Sequence, residues 1–371
     1  MEEAGFAPVD SHAYVALVTG ASRGLGLEFV RQLAFGTPAD LRRPFGYVLD
    51  ASGAETAELE LPAPLAPLSI TNDSNDDKDK DNGNGVVIVA GCRNPAAATE
   101  LAALAAHAGG RVRVVVLQLD VESDADIAAA AAELGARYGR LDLLVNNAGI
   151  VEQRDAPSVA NATREDLLRV LNVNAVAPLL LTSALMPLLK RTIAAAAIAN
   201  KNSNNASRPL EAPLGVESDW NCDGFLPPAS ITALAQRQAS AVAASQAAGP
   251  PAPLSPEARA AAAATAVRVV FVTSVLGSVC AAANALAPGY RAAKAALGSA
   301  ARSAAAELPG AAVLALHPGW VATDMGCRNP GARPPLRAAE SVAGMLEAAK
   351  RARADTLPRG IETFDGRLWP F

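Results

Sequence analysis

The sequence predicts an α/β fold: a doubly wound parallel sheet with helices on both faces. Three observations carry this expectation. Short runs that are apolar throughout, without the alternation of a half-exposed strand, recur along the chain. Between them lie segments of helical pattern long enough to cross back over a sheet. Glycines cluster at the end of the first apolar run, where a strand must turn sharply into a helix.

Residues 14–19 (YVALVT) read as the first buried strand and 25–35 as the first helix. Strands at 86–90 (VVIVA), 112–119 (VRVVVLQL) and 141–145 (LDLLV) alternate with helices at 95–107 and 124–138. A long helix over 164–190 precedes a fifth strand at 267–273 (VRVVFVT). A helix over 290–308, a sixth strand at 311–316, a helix over 338–353 and a last short strand near 360–364 complete the pattern. Buried strands separated by helices imply parallel neighbours joined by crossovers, the Rossmann-type architecture that binds dinucleotides.

Two segments break the pattern. Residues 40–85 are Pro-rich and end in TNDSNDDKDKDNGNG, a polar run that cannot bury a core. Residues 191–266 alternate Ala tracts with Asn/Ser and Pro clusters. Both are expected to be disordered insertions in a single domain spanning 12–371, with local helix in the Ala tracts as the alternative. Setting them aside leaves about 250 residues, a size that suits one α/β domain.

Composition narrows the function. Lys and Arg number 32 against 37 Asp and Glu, a net charge of −5. This leaves no basic excess to neutralise phosphates, so a dedicated nucleic-acid binder is not expected. Four cysteines, Cys92, Cys222, Cys280 and Cys327, lack metal-ligand spacing and read as reduced thiols of a cytoplasmic protein. The first residues are acidic and lack an apolar targeting core. Residues 170–189 carry no charge, but they include Asn172, Asn174, Pro178 and Pro187, which favours a buried helix over a membrane span.

The first strand runs into Thr19-Gly20-Ala21-Ser22-Arg23-Gly24-Leu25-Gly26. Gly20 permits a tight turn, Gly24 lets backbone approach a pyrophosphate, and Gly26 lets the helix pack against the strand. The helix N-terminus then offers free N–H groups and a positive dipole end to phosphate. The acid or base ending the second strand selects the cofactor, because an acid binds a ribose 2′-hydroxyl and an Arg a 2′-phosphate. Asp50 lies 24 residues after Gly26, but its surroundings run into Pro-rich sequence. The strand at 86–90 leads to Gly91-Cys92-Arg93 and directly into a helix. Arg93 is therefore expected at the 2′-phosphate, with Arg23 as a second guanidinium, and NADPH/NADP+ as the cofactor.

Tyr290-Arg291-Ala292-Ala293-Lys294 opens a helix. The spacing places Tyr290 and Lys294 one turn apart on one face. A neighbouring ammonium, together with the positive nicotinamide ring, is expected to favour the phenolate and lower the phenol pKa from its usual value of about 10. Tyr290 could then hand a proton to a carbonyl oxygen. Ser274 and Ser278 follow the fifth strand, 16 and 12 residues before Tyr290, and either hydroxyl could hold the substrate oxygen. Ser274, at the strand end, is the preferred candidate, with Ser278 lining the substrate pocket.

The Thr-Gly-x-x-x-Gly-x-Gly spacing, Asn146-Asn147-Ala148-Gly149 after the fourth strand, and Tyr290-x-x-x-Lys294 after the fifth resemble the short-chain dehydrogenase/reductase family. The resemblance covers nearly all of the chain outside the two insertions. His317-Pro318-Gly319-Trp320-Val321-Ala322-Thr323-Asp324 and the terminal FDGRLWPF are similar to the C-factor and sniffer branch of carbonyl reductases. The resemblance implies that Asn147, Ala148 and Gly149 line the cofactor pocket and that Asp120 and Val121 meet the adenine. It implies that Pro318, Gly319, Val321 and Thr323 embrace the nicotinamide, and that Tyr290 and Lys294 touch the cofactor. It makes Asn174, Ser274, Tyr290 and Lys294 the catalytic set, Asn174 holding a water that links Lys294 to solvent, with Asn172 as the competing residue. His317 is expected to be a structural strand-end residue. The implied activity is NADPH-dependent reduction of a ketone, aldehyde or quinone. The alternatives are an NADPH-binding sensor with vestigial catalysis and an interaction scaffold built on the insertions. The resemblance also suggests a homodimer, paired through the long helices at 164–190 and 290–308. Neither a metal nor a membrane is expected.

Overall fold

The computed structural model describes residues 14–36, 48–49, 55–56, 85–152, 157–203, 267–280, 287–328, 331–352, 354 and 358–371. Most of both expected insertions, together with Asp50, lies outside the described residues.

Eight strands form one sheet. In chain order they are β1 (Tyr14–Thr19), β4 (Val86–Cys92), β5 (Val112–Gln118), β6 (Leu143–Asn146), β7 (Val267–Val272), β8 (Ala311–His317), β9 (Ile361–Thr363) and β10 (Leu368–Trp369). A separate antiparallel pair, β2 (Val48–Leu49) and β3 (Glu55–Thr56), lies between β1 and β4 in sequence. The main sheet has the order β10-β9-β8-β7-β6-β1-β4-β5 and is parallel except for β10, an antiparallel edge strand with no counterpart in the sequence expectations. The partner of β1 on one side is therefore β4, which ends in Cys92 beside Arg93, while Val48–Leu49 pairs elsewhere.

Strand composition follows from double coverage. In β7 every residue is buried, and in β1 all but Tyr14 are. Alternate side chains enter two cores. Val15, Leu17, Val87, Val89, Val269 and Phe271 face α3 (Asp124–Tyr138), α5 (Ala177–Ser203) and α6 (Pro288–Glu307). Ala16, Val18, Ile88, Ala90, Val270 and Val272 face α1 (Gly24–Phe35), α2 (Thr99–His107) and α7 (Ala338–Arg351). Burial at about 25 cal/mol per Å² of apolar surface on both faces is what a continuous Val/Leu/Ala strand provides.

The helix expected at 164–190 is longer and less regular. It begins as α4 (Arg164–Leu171), passes through a π turn at Asn172–Val176 and continues as α5 to Ser203. It is long and apolar enough to cross a membrane, but Leu181, Leu185 and Leu189 are fully buried in the sheet core, as in the core helix of a globular protein. The π turn is a local widening that sequence pattern does not signal.

Chain reversal puts the site at one end of the sheet. From β1 the chain moves outward to β4 and β5, then returns to β6 on the opposite side of β1. The C-terminal ends of β1 and β6 thus border the crevice where loops diverge, the place at which such sheets bind ligands. The opposite end is pinned by a partly buried ion pair. Asp142 accepts from the Val15 N–H at 2.9 Å and takes Arg140 in a fork, Nε at 2.9 Å and Nη2 at 2.6 Å.

Two stability predictions follow from these packed groups. Asp142→Ala leaves the Val15 amide and the Arg140 guanidinium without their shared acceptor, and should cost about 2–3 kcal/mol. A denaturant midpoint equal to the parent's contradicts this. His317, at the end of β8, has its pKa pushed down to about 4, chiefly by burial; the nearby Asp365 carboxylate works against that shift and the Lys294 ammonium works with it. The unfolded chain therefore binds a proton near the ordinary value of 6.5 that the folded chain refuses until about 4. Stability should fall as pH drops from 6.5 to 4, and the fall should be shallower in His317→Gln. Identical pH slopes in thermal melts of the two proteins would refute the assignment.

Candidate active site

The glycine turn and the Asn-Asn-Ala-Gly segment form one interlocked unit. Thr19 Oγ1 accepts from the N–H groups of Asn147 and Ala148, both at 3.0 Å. Asn147 Nδ2 returns a bond to the Thr19 carbonyl at 2.9 Å. These bonds tie the ends of β1 and β6 together at the crevice. Gly26 is required by contact: a Cβ there would sit 2.2 Å from the Gly20 carbonyl oxygen and 2.7 Å from Asn147 Nδ2. Helix α1 can start against the strand only because that side chain is missing.

A single cleft runs along this edge. Gly20, Ser22, Arg23, Gly24, Leu25, Asn147, Ala148 and Gly149 line its middle. At one end stand Arg93, Asp120 and Val121, and at the other Tyr290, Lys294, Pro318 and Thr323. Gly26, Gly319, Val321, Asn174 and Ser274 do not line the cleft; Val321, Asn174 and Ser274 are buried behind its wall. Asp120 also stabilises its own loop, Oδ1 accepting from the Glu122 N–H at 3.0 Å. Asp324, whose role sequence reasoning missed, pairs with Arg23 across the cleft mouth at 2.6 Å. It lay within the motif after β8, but nothing in its spacing named Arg23 as partner.

Tyr290 and Lys294 stand one turn apart on α6, as their spacing requires. Lys294 is only 4% exposed. Its Nζ donates to the Val272 carbonyl at 2.7 Å and lies 5.6 Å from the centre of the Tyr290 ring. The loop carrying Ser274 presses directly on this turn. A Cβ on Gly277 would be 2.6 Å from the Lys294 carbonyl carbon, and Thr273 Oγ1 donates to the Lys294 carbonyl at 3.2 Å. Ser274 is buried, its hydroxyl accepting from the Leu276 N–H at 3.2 Å and bonding the Tyr290 phenol. Ser278 is buried as well, in the same short turn.

One expectation is corrected: the protein's own groups, without the nicotinamide ring, do not lower the Tyr290 phenol. Burial pushes it up to about 12, the Ser274 hydrogen bond working against this and the Glu152 charge adding to it. Burial also brings Lys294 down to about 8, so the amine holds its proton weakly near neutrality. Asn174 is fully buried, and each end of its amide bonds one backbone residue: Oδ1 accepts from the Ile150 N–H at 2.8 Å and Nδ2 donates to the Ile150 carbonyl at 2.7 Å. The side chain clamps the wall of the cleft. Asn172 sits at the start of the π turn, and its carbonyl accepts from the Ala177 N–H.

The residues present fit a dinucleotide. The cleft offers a glycine turn at a helix N-terminus for the pyrophosphate, the Arg93 guanidinium at one end and a phenol–amine pair at the other. Among the described residues no cluster of His, Cys, Asp and Glu could hold a metal ion.

A sequence-family model described as enoyl-(acyl carrier protein) reductase matches residues 81–212. The short chain dehydrogenase tazN of Aspergillus terreus is 45% identical over 73 residues, 20% of this chain and 16% of that protein. The C-signal protein of Myxococcus xanthus is 47% identical over 81 residues, 21% of this chain and 46% of that protein. The chain thus matches less than half the length of either relative. Among solved structures, an NADPH-bound carbonyl reductase from chicken fatty liver superposes with a TM-score of 0.59 at 24% identity, covering 97% of this chain and all of that one. At that identity the likeness is one of fold. The glycine turn, the Asn-Asn-Ala-Gly segment and the Tyr-x-x-x-Lys pair meet on one cleft, and over the matched segments the chain is similar to short-chain dehydrogenases.

Proposed function

We propose that the chain is an NADPH-dependent oxidoreductase that reduces a ketone, aldehyde or quinone to the alcohol level, with Tyr290 as the proton donor. The observation that carries this reading is the buried Lys294 amine beneath a phenol that lines the same cleft as the glycine turn. The fold shared with NADPH-bound carbonyl reductase supports the cofactor and the substrate class. NADPH, when bound, supplies the hydride; the protein positions and polarises.

The residues divide the work along the cleft. Arg93 and Arg23 take the 2′-phosphate, which distinguishes NADPH from NADH. Asp120 and Val121 meet the adenine, and Pro318, Gly319, Val321 and Thr323 shape the nicotinamide end. Ser274 and Tyr290 hold the substrate oxygen, and Tyr290 releases its proton to that oxygen. A phenol pushed up to about 12 is protonated throughout the neutral range, the state a proton donor needs. Lys294 restores the proton, and Asn174 holds the water that links Lys294 to solvent.

A second reading, an NADPH-binding signalling protein whose catalysis is incidental, draws support from the likeness to C-signal. The two differ in turnover on carbonyl compounds. Pairing of two copies through α4, α5 and α6 is also proposed, because Leu168, Val176, Leu179 and Leu180 are exposed on that face. Light scattering at the monomer mass excludes it.

Tyr290→Phe should lower the reduction rate of a ketone and quinone panel by about three orders of magnitude or more while NADPH still binds. Near-normal turnover by that variant defeats the assignment, and a parent protein that binds NADPH but reduces nothing in the panel selects the signalling reading. Arg93→Ala should raise the KM for NADPH about tenfold or more, the loss of one charge-assisted bond, and leave that for NADH little changed. An equal effect on both cofactors would remove Arg93 from the 2′-phosphate.

A further inference from the structure

Glu152 lies in the loop that follows β6, three residues beyond Gly149, and is 3% exposed. Its Oε1 accepts from the Gly289 N–H at 2.6 Å and from the Tyr290 N–H at 3.1 Å. These are first-turn amides of α6, donors that no carbonyl of the same helix can reach. The residue before the helix, Ala287, has no side-chain oxygen to cap them. The acceptor instead comes from 137 residues earlier in the chain. Gly289 makes room for it, since a Cβ there would meet Oε1 at 2.9 Å.

A Ser or Asp at the cap position would satisfy such amides locally and at the surface. A buried carboxylate is a costlier solution. Its Oε2 is equally enclosed and has no hydrogen-bond partner among the described residues. What the long-range cap adds is a tie between two elements. Asn174 clamps Ile150, Ile150 lines the cleft, and two residues later Glu152 grips the backbone amide of Tyr290 itself.

We infer that Glu152 is a positioning residue for proton transfer: it holds the first turn of α6, and with it the Tyr290 hydroxyl, in register with the loop that lines the cofactor cleft. This rests on Tyr290 being the proton donor. The tether acts through geometry, and the carboxylate charge acts as well. With two amides as its only donors among the described residues, its field reaches the phenol and resists the phenol's ionisation.

The test compares Glu152→Gln, Glu152→Ala and Tyr290→Phe in the full chain, with NADPH and a panel of aromatic ketones and quinones. Glu152→Ala removes both acceptor and charge, and kcat should fall about tenfold or more while NADPH affinity, read by cofactor fluorescence, stays at the parent value. Glu152→Gln keeps an acceptor oxygen and should recover most of that loss. With the charge gone, its alkaline limb in kcat against pH should move to lower pH by about half a unit or more. Parent-like kcat in Glu152→Ala, or an unmoved alkaline limb in Glu152→Gln, overturns the inference. If Glu152→Ala does not fold, the isosteric Glu152→Gln profile decides alone. An active Tyr290→Phe enzyme overturns the functional reading, whereas an inactive one beside unperturbed Glu152 variants overturns only the positioning role.

Discussion

The burial of one amine organises this site. A lysine that is almost fully removed from water loses hydration that a single carbonyl bond, from Nζ to Val272, only partly replaces. The backbone around Lys294 is held by close contacts and hydrogen bonds. Gly277 lets the Ser274 turn lie against its backbone, Thr273 bonds its carbonyl, and α6 is fixed at its start from the loop after β6. The result is an amine that holds its proton weakly, next to a phenol that holds its own tightly.

The opposite end of the cleft obeys a different constraint, close backbone approach. Thr19 and Asn147 lock the ends of β1 and β6 with three short bonds, and Gly26 leaves no gap between helix and strand. A crevice built this way presents backbone amides rather than side chains at its middle. That suits a ligand whose centre is a pyrophosphate and whose two ends are recognised separately.

Much of this was legible in the sequence because it depends on local pattern. The buried strands announce themselves as nearly unbroken Val/Leu/Ala runs, and the helix that follows directly marks 86–90, rather than the region near Asp50, as the second strand. Tyr290 and Lys294 share a helix face by spacing alone. What the sequence hid depends on distant partners or on departures from regular geometry. The pairing of Asn174 with Ile150 was hidden because its partner is backbone 24 residues away, reached only through the packing of the π turn. Glu152 was invisible because its partners are backbone amides far along the chain, and backbone has no sequence signature. The phenol shift was misjudged because spacing reports the neighbouring ammonium and says nothing of how dry the pocket is. The antiparallel β10 escaped because two residues cannot show a period.

The account stands on a phenol and an amine facing the nicotinamide end of a cleft whose far end reads a phosphate. A crystal structure with NADP+ bound tests this most directly. It should show the nicotinamide and its ribose against Tyr290 and Lys294, and the 2′-phosphate at Arg93. A cofactor seated with its nicotinamide remote from Tyr290 and Lys294 contradicts the account.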